Sequence, residues 1–347
     1  MTTSTAQVRL ADPGALVAAV PYLLGFVPAQ SLVAVALRRA RVCLTLRMDL
    51  TTAAEPDVGA HLAAQVRRAG AREVVLLLVG DPGSCSGALP GAAELPHRAL
   101  VAELREVCRS RQLGVRDALW SDRGRWWSYL CRDPACCGPG GTPVDPAAAG
   151  HLAAELAAEG RGVLPDRRAL ERSVLRVAGS ADAEATTPYP RAREHQLAGY
   201  AEAPAAFRRA AVAALAGAVE RCGPSGPGVS TGERPALALS LTDPLVRDGA
   251  LRWLDGPRHD GAHALWLDLV RHAPPPWAAT PAVLLALYAY ARGDGVFARV
   301  CADRALADDP GSVLATAVHR LLDGAVPPGE VTAAAHEIAR RAGRCPG

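Results

Sequence analysis

Hydrophobic positions along the first half of the chain alternate between strand-like runs and helical spacing. Asp12-Pro13 places an N-cap and N1 pair ahead of an apolar stretch, predicting a helix through about Val20 that Pro21 ends. Ser31 to Leu37 and Val42 to Met48 are apolar runs separated by Arg38-Arg39-Ala40-Arg41, which reads as a hairpin. Val58, Leu62, Val66 and Ala69 recur at helical spacing, with Gly70 closing that helix. Glu73 to Val79 is a continuous apolar run, the pattern of a strand covered on both faces. Leu100, Leu104, Val107 and Cys108 mark a further helix, stopped at Gly114. Val115 to Trp120 and Trp126 to Leu130 then read as strands around the turn Asp122-Arg123-Gly124. The order β-β-α-β-α-β-β predicts an α/β fold, a mixed sheet flanked by helices.

After about Pro146 strand signals stop and helical periodicity takes over, as in Leu170/Val174/Val177 and Val212/Leu215/Val219. The expected organisation is a mixed α/β domain over 1–160 and an all-α domain over 161–347. Gly223 to Glu233 has the composition of a linker, and Asp243-Pro244 is another N-cap and N1 pair. Within 282–310, Gly293, Ala298, Ala302, Ala305, Leu306 and Pro310 fit the spacing of one tetratricopeptide-like helical hairpin.

Composition narrows the chemistry. Half of the 347 residues are hydrophobic but only 4% aromatic, so Ala, Leu and Val must build the core. The chain has no Lys and no Asn, and Ile338 is its only Ile. That excludes a Schiff-base Lys and a phosphate-binding loop built on Lys. All 38 basic residues are Arg, interspersed with 35 acids for a net charge of +3. The densest stripe, Arg168, Arg172 and Arg176, reads as a solvated helix face, so nucleic acid is not an expected partner.

Arg9 is the only early base, so no secretory signal is evident, and Pro21, Pro28, Gln30 and Ser31 interrupt the apolar stretch from Gly14 to Leu37. A membrane helix needs ~20 apolar residues in a row. Nine cysteines at uneven spacing read as reduced thiols. A cytoplasmic protein without membrane attachment is expected.

Four segments carry a family likeness: Pro21 to Leu37 (PYLLGFVPAQSLVAVAL), Arg47 to Leu50 (RMDL), Gly124 to Cys137 (GRWWSYLCRDPACC) and Ala291 to Gly311 (ARGDGVFARVCADRALADDPG). Together they resemble the actinobacterial domain-of-unknown-function family 4192, across almost the whole chain. The Trp-Ser-Tyr…Cys-Cys segment is its most specific part, and Gly138 departs from the Pro expected after the cysteine pair. The resemblance implies a fold and a lineage, which the absence of Lys and Asn fits, but no activity.

Four places could carry chemistry. Cys131, Cys136 and Cys137, with His151 as a fourth donor, could hold Zn²⁺, or Cys136-Cys137 could form a redox pair. The plainer reading packs these thiols against Trp126 and Trp127, and it is favoured. Asp49, Asp81 and Asp122 each fall just past a strand, where open α/β sheets bind ligands, and could hold Mg²⁺ or orient a polar ligand. Their plainer role is in turns and caps. Gly83-Ser84-Cys85-Ser86-Gly87 matches a nucleophile elbow in spacing, with His97 the nearest base, but Pro82, Pro90 and Pro96 favour a surface loop. His259 and His263 stand one helical turn apart, with His272 half a turn away and Gly261 weakening the helix, so a solvated helix start is expected.

No complete catalytic constellation is visible, and whether the chain is an enzyme stays open. The expected function is a ligand-binding or regulatory α/β module with a helical accessory domain, its partner a small molecule or a protein. The alternatives are an interaction scaffold built on the C-terminal helices and a zinc or thiol-redox protein centred on Cys131 to Cys137.

Overall fold

The computed structural model describes residues 12–39, 41–81, 95–133, 137–158, 162–177 and 188–344. The chain divides into two compact units, Met1–Ala169 and Leu170–Gly347. The first holds a six-stranded mixed sheet, and most of the fifteen α-helices among the described residues belong to the second.

The sheet is ordered β2-β1-β3-β4-β5-β6, with β1 (Ser31–Arg38), β2 (Arg41–Asp49), β3 (Glu73–Val79), β4 (Gly114–Asp122), β5 (Arg125–Ser128) and β6 (Thr142–Pro143). β1 pairs antiparallel with β2 and with β3, and β3 pairs parallel with β4. The two runs richest in Leu, Val and Ala, β1 and β3, are thereby neighbours in the middle of the sheet, where both faces are covered. Arg123 (φ 45°) and Gly124 (φ 71°) connect β4 to β5 with both turn residues left-handed, the two-residue hairpin whose twist matches the strands. Pro143 in β6 has no N–H to offer a further strand at that edge.

One face of the sheet presents Leu32, Ala34, Ala36, Val74, Leu76, Leu78 and Trp120. Against them pack Leu62, Ala63 and Val66 of α3 (Val58–Arg68) and Leu100, Leu104 and Cys108 of α4 (Arg98–Ser110). Each fully buried Leu in such a layer contributes roughly 1.5–3 kcal/mol. α1 (Pro13–Leu24) belongs to the other face, where Gly14 lies against the indole of Trp126.

Asp12 caps α1 as expected, its Oδ1 accepting the Gly14 N–H at 2.8 Å. Pro21, however, does not end the helix, which continues to Leu24 and stops at Gly25 (φ 75°). An interior Pro costs ~3 kcal/mol. Burial of Leu16, Val17 and Val20 before it and Leu24 after it outweighs that cost. α4 stops at Ser110 rather than at Gly114, which instead opens β4.

Between the strands lies α2 (Leu50–Ala53), and after them α5 (Gly150–Ala158) and α6 (Arg167–Ser173). Arg168 and Arg172 are exposed, whereas Arg176 lies beyond the end of α6. The helices that follow are α7 (Pro188–Glu202), α8 (Pro204–Arg221), α9 (Arg234–Ser240), α10 (Pro244–Ala250) and α11 (His259–His272). They continue as α12 (Ala279–Ala291), α13 (Gly295–Asp308), α14 (Val313–Asp323) and α15 (Pro328–Arg344). α12 and α13 form a helical hairpin over the 282–310 segment: Gly293 turns at φ 80° and Asp294 caps α13 through the Phe297 N–H. Ala298, Ala302 and Ala305 are fully buried, so small side chains let the pair close.

Gly223 to Glu233 is no linker. It is a tight loop inside the second unit, where Gly228 N–H donates to the Arg221 carbonyl at 3.0 Å, Val229 is buried, and Glu233 pairs with Arg221 at 2.6 Å. His259 also departs from the solvated helix start. It is 3% exposed, its Nδ1 sits 2.6 Å from the Leu254 carbonyl oxygen, and its ring contacts Tyr288. Among the described residues, no helix is long and apolar enough to cross a membrane.

Candidate functional site

β1 runs against both of its neighbours, and β3 and β4 run together, so β2, β3 and β4 all point the same way. Their carboxyl ends therefore share one rim of the sheet, with Asp49 opposite Ser31, Ser31 opposite Val79, and Val79 opposite Ser121. Asp49, Asp81 and Asp122 all leave the sheet at this rim.

The pleat then separates them. Successive side chains alternate between faces, so Asp49 and Arg47 project away from the layer to which Trp120 and Met48 belong, while Asp122 shares the face of Trp120. Arg47 is nearly buried. Its Nε donates to the Ser31 hydroxyl at 2.8 Å, and its Nη2 holds the largely exposed Asp49 at 2.7 Å. β1 and β3 separate β2 from β4, a distance of roughly 14 Å at ~4.8 Å per strand. Asp81 and Asp122 thus stand on neighbouring strand ends, with Asp49 apart. Among the described residues no three His, Cys, Asp or Glu side chains gather to hold a metal ion.

Around Asp122 the packing is close. A Cβ on Gly80 would lie 2.9 Å from the Trp120 ring and 3.0 Å from Asp122 Oδ1, so only Gly fits beneath the two side chains. The Asp122 side chain is 13% exposed and reaches Arg123 Nε at 3.3 Å. Trp120 is 5% exposed, and its Nε1–H finds no acceptor among the described residues. The His97 ring lies 5.8 Å from that of Trp120. Tyr129 fastens the start of α4 over this rim: its hydroxyl donates to the Pro96 carbonyl at 2.6 Å, and Arg98 stands 5.9 Å above its ring. Burial pushes the Tyr129 phenol well up. Gly80 and Trp120 escaped the reading of the sequence. A Gly directly after an apolar strand, one residue before Asp81, was the available signal.

The cysteine loop is built on the strand before it. Ser128 is 6% exposed; its hydroxyl donates to Asp117 Oδ1 at 2.7 Å and accepts the N–H groups of Leu130 and Cys131, both at 3.1 Å. Gly141 (φ 66°) lies flat on Trp127, where a Cβ would be 2.3 Å from the ring, and Trp127 Nε1 donates to the Pro139 carbonyl at 3.2 Å. Cys137 is 5% exposed, Cys131 is a half-buried free thiol, and Cys136 lies outside the described residues. His151 stands on α5 with a 90% exposed side chain, 3.3 Å from Glu155. The elbow-like segment Gly83 to Gly87 also lies outside the described residues.

These features define a mixed α/β protein with a helical unit and a strand-end rim that carries an indole donor without an acceptor among the described residues. Residues 13–329 match the family model described as Domain of unknown function (DUF4192), and the chain belongs to that family. No curated protein and no solved structure matches it.

Proposed function

We propose that the first unit is a ligand-binding, regulatory module of a cytoplasmic protein, and that its site is the rim around Gly80, Trp120 and Asp122. The observation that carries this reading is the Trp120 Nε1–H, a buried donor with no acceptor among the described residues. A buried polar group left unmade costs ~1–3 kcal/mol, and a ligand acceptor would recover that. Asp122 beside it supplies an acceptor of its own, so the fitting ligand is small and polar, with hydrogen-bond donors as well as an acceptor. The rim position agrees with the rule that open α/β sheets bind beyond the carboxyl ends of their strands.

The test is a thermal-shift screen of the full chain against nucleosides, sugars, amino acids and small carboxylic acids, followed by calorimetry on any stabilising compound. We expect such a compound to lose its effect in Trp120→Phe and in Asp122→Asn. Trp120→Phe alone removes an unmade hydrogen bond but also leaves the gap of a smaller ring, so the two effects oppose and the stability of the unliganded protein should change little. Stabilisers that act equally on wild type and both variants would place the ligand elsewhere. Metal analysis of the purified protein tests the other readings: stoichiometric Zn²⁺ would move the site to Cys131, Cys136 and Cys137, and Mg²⁺-dependent stabilisation lost in Asp81→Asn would make the rim a metal site.

A further inference from the structure

The opposite rim of the sheet, where β2, β3 and β4 begin, gathers arginines that are far apart in the sequence. Arg38 and Arg39 close β1, and Arg41 opens β2. Arg67 and Arg68 end α3, and Arg72 precedes β3. Arg109 and Arg111 end α4, and Arg116 stands at the bulge in β4. All nine are exposed.

Contacts across the elements make this one continuous surface. Arg67 Nη1 donates to the Arg111 carbonyl, joining the ends of α3 and α4. The Arg72 carbonyl accepts the Gly114 N–H at 2.9 Å, and the Arg72 N–H reaches the Leu37 carbonyl at 3.3 Å. Arg38 Nη1 lies 3.6 Å from the Cβ position of Gly70. Arg67, Arg68 and Arg111, with Ser110 and Gln112, line an open groove of about 590 Å³.

The acids on this rim are Glu73, Glu106 and Asp117, and the two helix ends add ~−0.5 charge each, which leaves an excess of about five positive charges. Glu106 already pairs with Arg109, and Asp117 holds Ser128. Arg67, Arg68 and Arg109 complement the dipoles of their helices. Arg38, Arg39, Arg41, Arg72 and Arg116 lie outside helices and have no carboxylate partner among the described residues. Arg38 and Arg41 even sit directly opposite each other in the β1–β2 pairing, where like charges are destabilising. Folding gains nothing from such an arrangement, whereas binding a polyanion does.

We propose that this rim binds the phosphate backbone of a nucleic acid without reading its sequence. A duplex carries one phosphate per ~1.7 Å of axis, so a strip roughly 14 Å wide meets several phosphates at once. Guanidinium groups engage phosphate oxygens in bidentate pairs. Among the described residues, the segments that carry these arginines (31–49, 58–72 and 98–116) include no Phe, Tyr or Trp to stack on bases. Among the described residues of this unit, the exposed large hydrophobic Val27 precedes β1, at the opposite rim, so the elements of the arginine rim carry none of the apolar anchors of a membrane-surface site. The sequence read linearly shows these arginines diluted by acids; folding brings them together.

The experiment is fluorescence anisotropy of the full chain with a labelled duplex of roughly 20 base pairs, in salt rising from about 50 to 200 mM. Binding should weaken by on the order of 10²–10³-fold over that range. The triple variant Arg72→Gln/Arg111→Gln/Arg116→Gln should flatten the log–log salt slope by roughly three, and Arg38→Gln/Arg39→Gln/Arg41→Gln should do likewise. Arg209→Gln, an exposed Arg in α8, should change nothing, and thermal melts confirm that each variant is folded. Absence of binding at the lowest salt, or triple variants that keep the wild-type slope, overturns the proposal. So does tighter binding to phosphatidylglycerol vesicles than to the duplex, which would make the rim a membrane-surface site.

Discussion

Gly261 in α11 lies so close to Val219 in α8 that a Cβ on it would come within 2.2 Å of the Val219 carbonyl oxygen and 3.4 Å of the Gly223 nitrogen. The obstacle is backbone at a helix end, which cannot rotate aside. Gly in a helix costs ~1 kcal/mol relative to Ala, and here that cost permits the close crossing of two helices. What reads in sequence as a weak point in a helix is a contact between helices.

Gly261→Ala should therefore destabilise the protein. Overpacking costs typically 1–3 kcal/mol, against ~1 kcal/mol gained in propensity, for a net loss of up to about 2 kcal/mol. Gly217→Ala, also in α8, meets only Arg221 Nη1 at 3.5 Å and should stabilise by about 0.5–1 kcal/mol. Urea midpoints of the two variants should move in opposite directions, and parallel shifts would contradict the packing argument.

Ser128→Ala should loosen the cysteine loop. The substitution strips two N–H groups of their acceptor and removes the hydroxyl donor from Asp117. A loss of about 1–3 kcal/mol is expected. Cys131 should become more reactive toward a thiol reagent at the same time, whereas Cys301, fully buried, should stay inert until global unfolding. Unchanged thiol kinetics would separate the loop from Ser128.

Stability should fall with acid in two steps. Burial holds His259 below its ordinary value, against the opposing hydrogen bond to the Leu254 carbonyl. The folded form therefore stays neutral while the unfolded chain takes up a proton below about pH 6.5, so stability declines as pH falls from there. For Asp243, burial raises the carboxyl, but hydrogen bonds from the Arg208 guanidinium and the Leu245 N–H together with the Arg208 charge outweigh it and hold it low. Its contribution is present above about pH 4 and is lost as pH drops through the folded value. His259→Phe should flatten the first step, measured by chemical denaturation across pH. Asp243→Asn should remove the second and cost about 1–3 kcal/mol at neutral pH, through the weakened cap of α10 and the lost Arg208 pair. Variants that keep the wild-type pH profile would assign these steps to other groups.

The strands were legible because their burial depends on local runs: EVVLLLV maps onto β3 residue for residue, and the Asp12 and Asp243 caps sit where their Pro neighbours announce them. Errors arose where tertiary packing outvoted local preference. Pro21 is carried inside α1 by buried neighbours on both sides, the Gly-rich loop from Gly223 is folded against α8, and His259 is drawn into the core by Tyr288 and the Leu254 carbonyl. Of the candidate site, the strand-end positions of Asp49, Asp81 and Asp122 were readable. That Asp49 projects from the face opposite Asp122, with β1 and β3 between their strands, was not.

By itself the order of residues determined which segments become strands and helices, since apolar periodicity, caps and turn residues act over a few positions. It also set the family, through segments that span the chain. Only the tertiary structure decided which ends meet. Placing β1 between β2 and β3 turns three carboxyl ends to one rim and nine arginines, spread from Arg38 to Arg116, to the other. Strand direction and neighbourhood are settled by long-range pairing and by the helices that cover the sheet, interactions that no local pattern encodes.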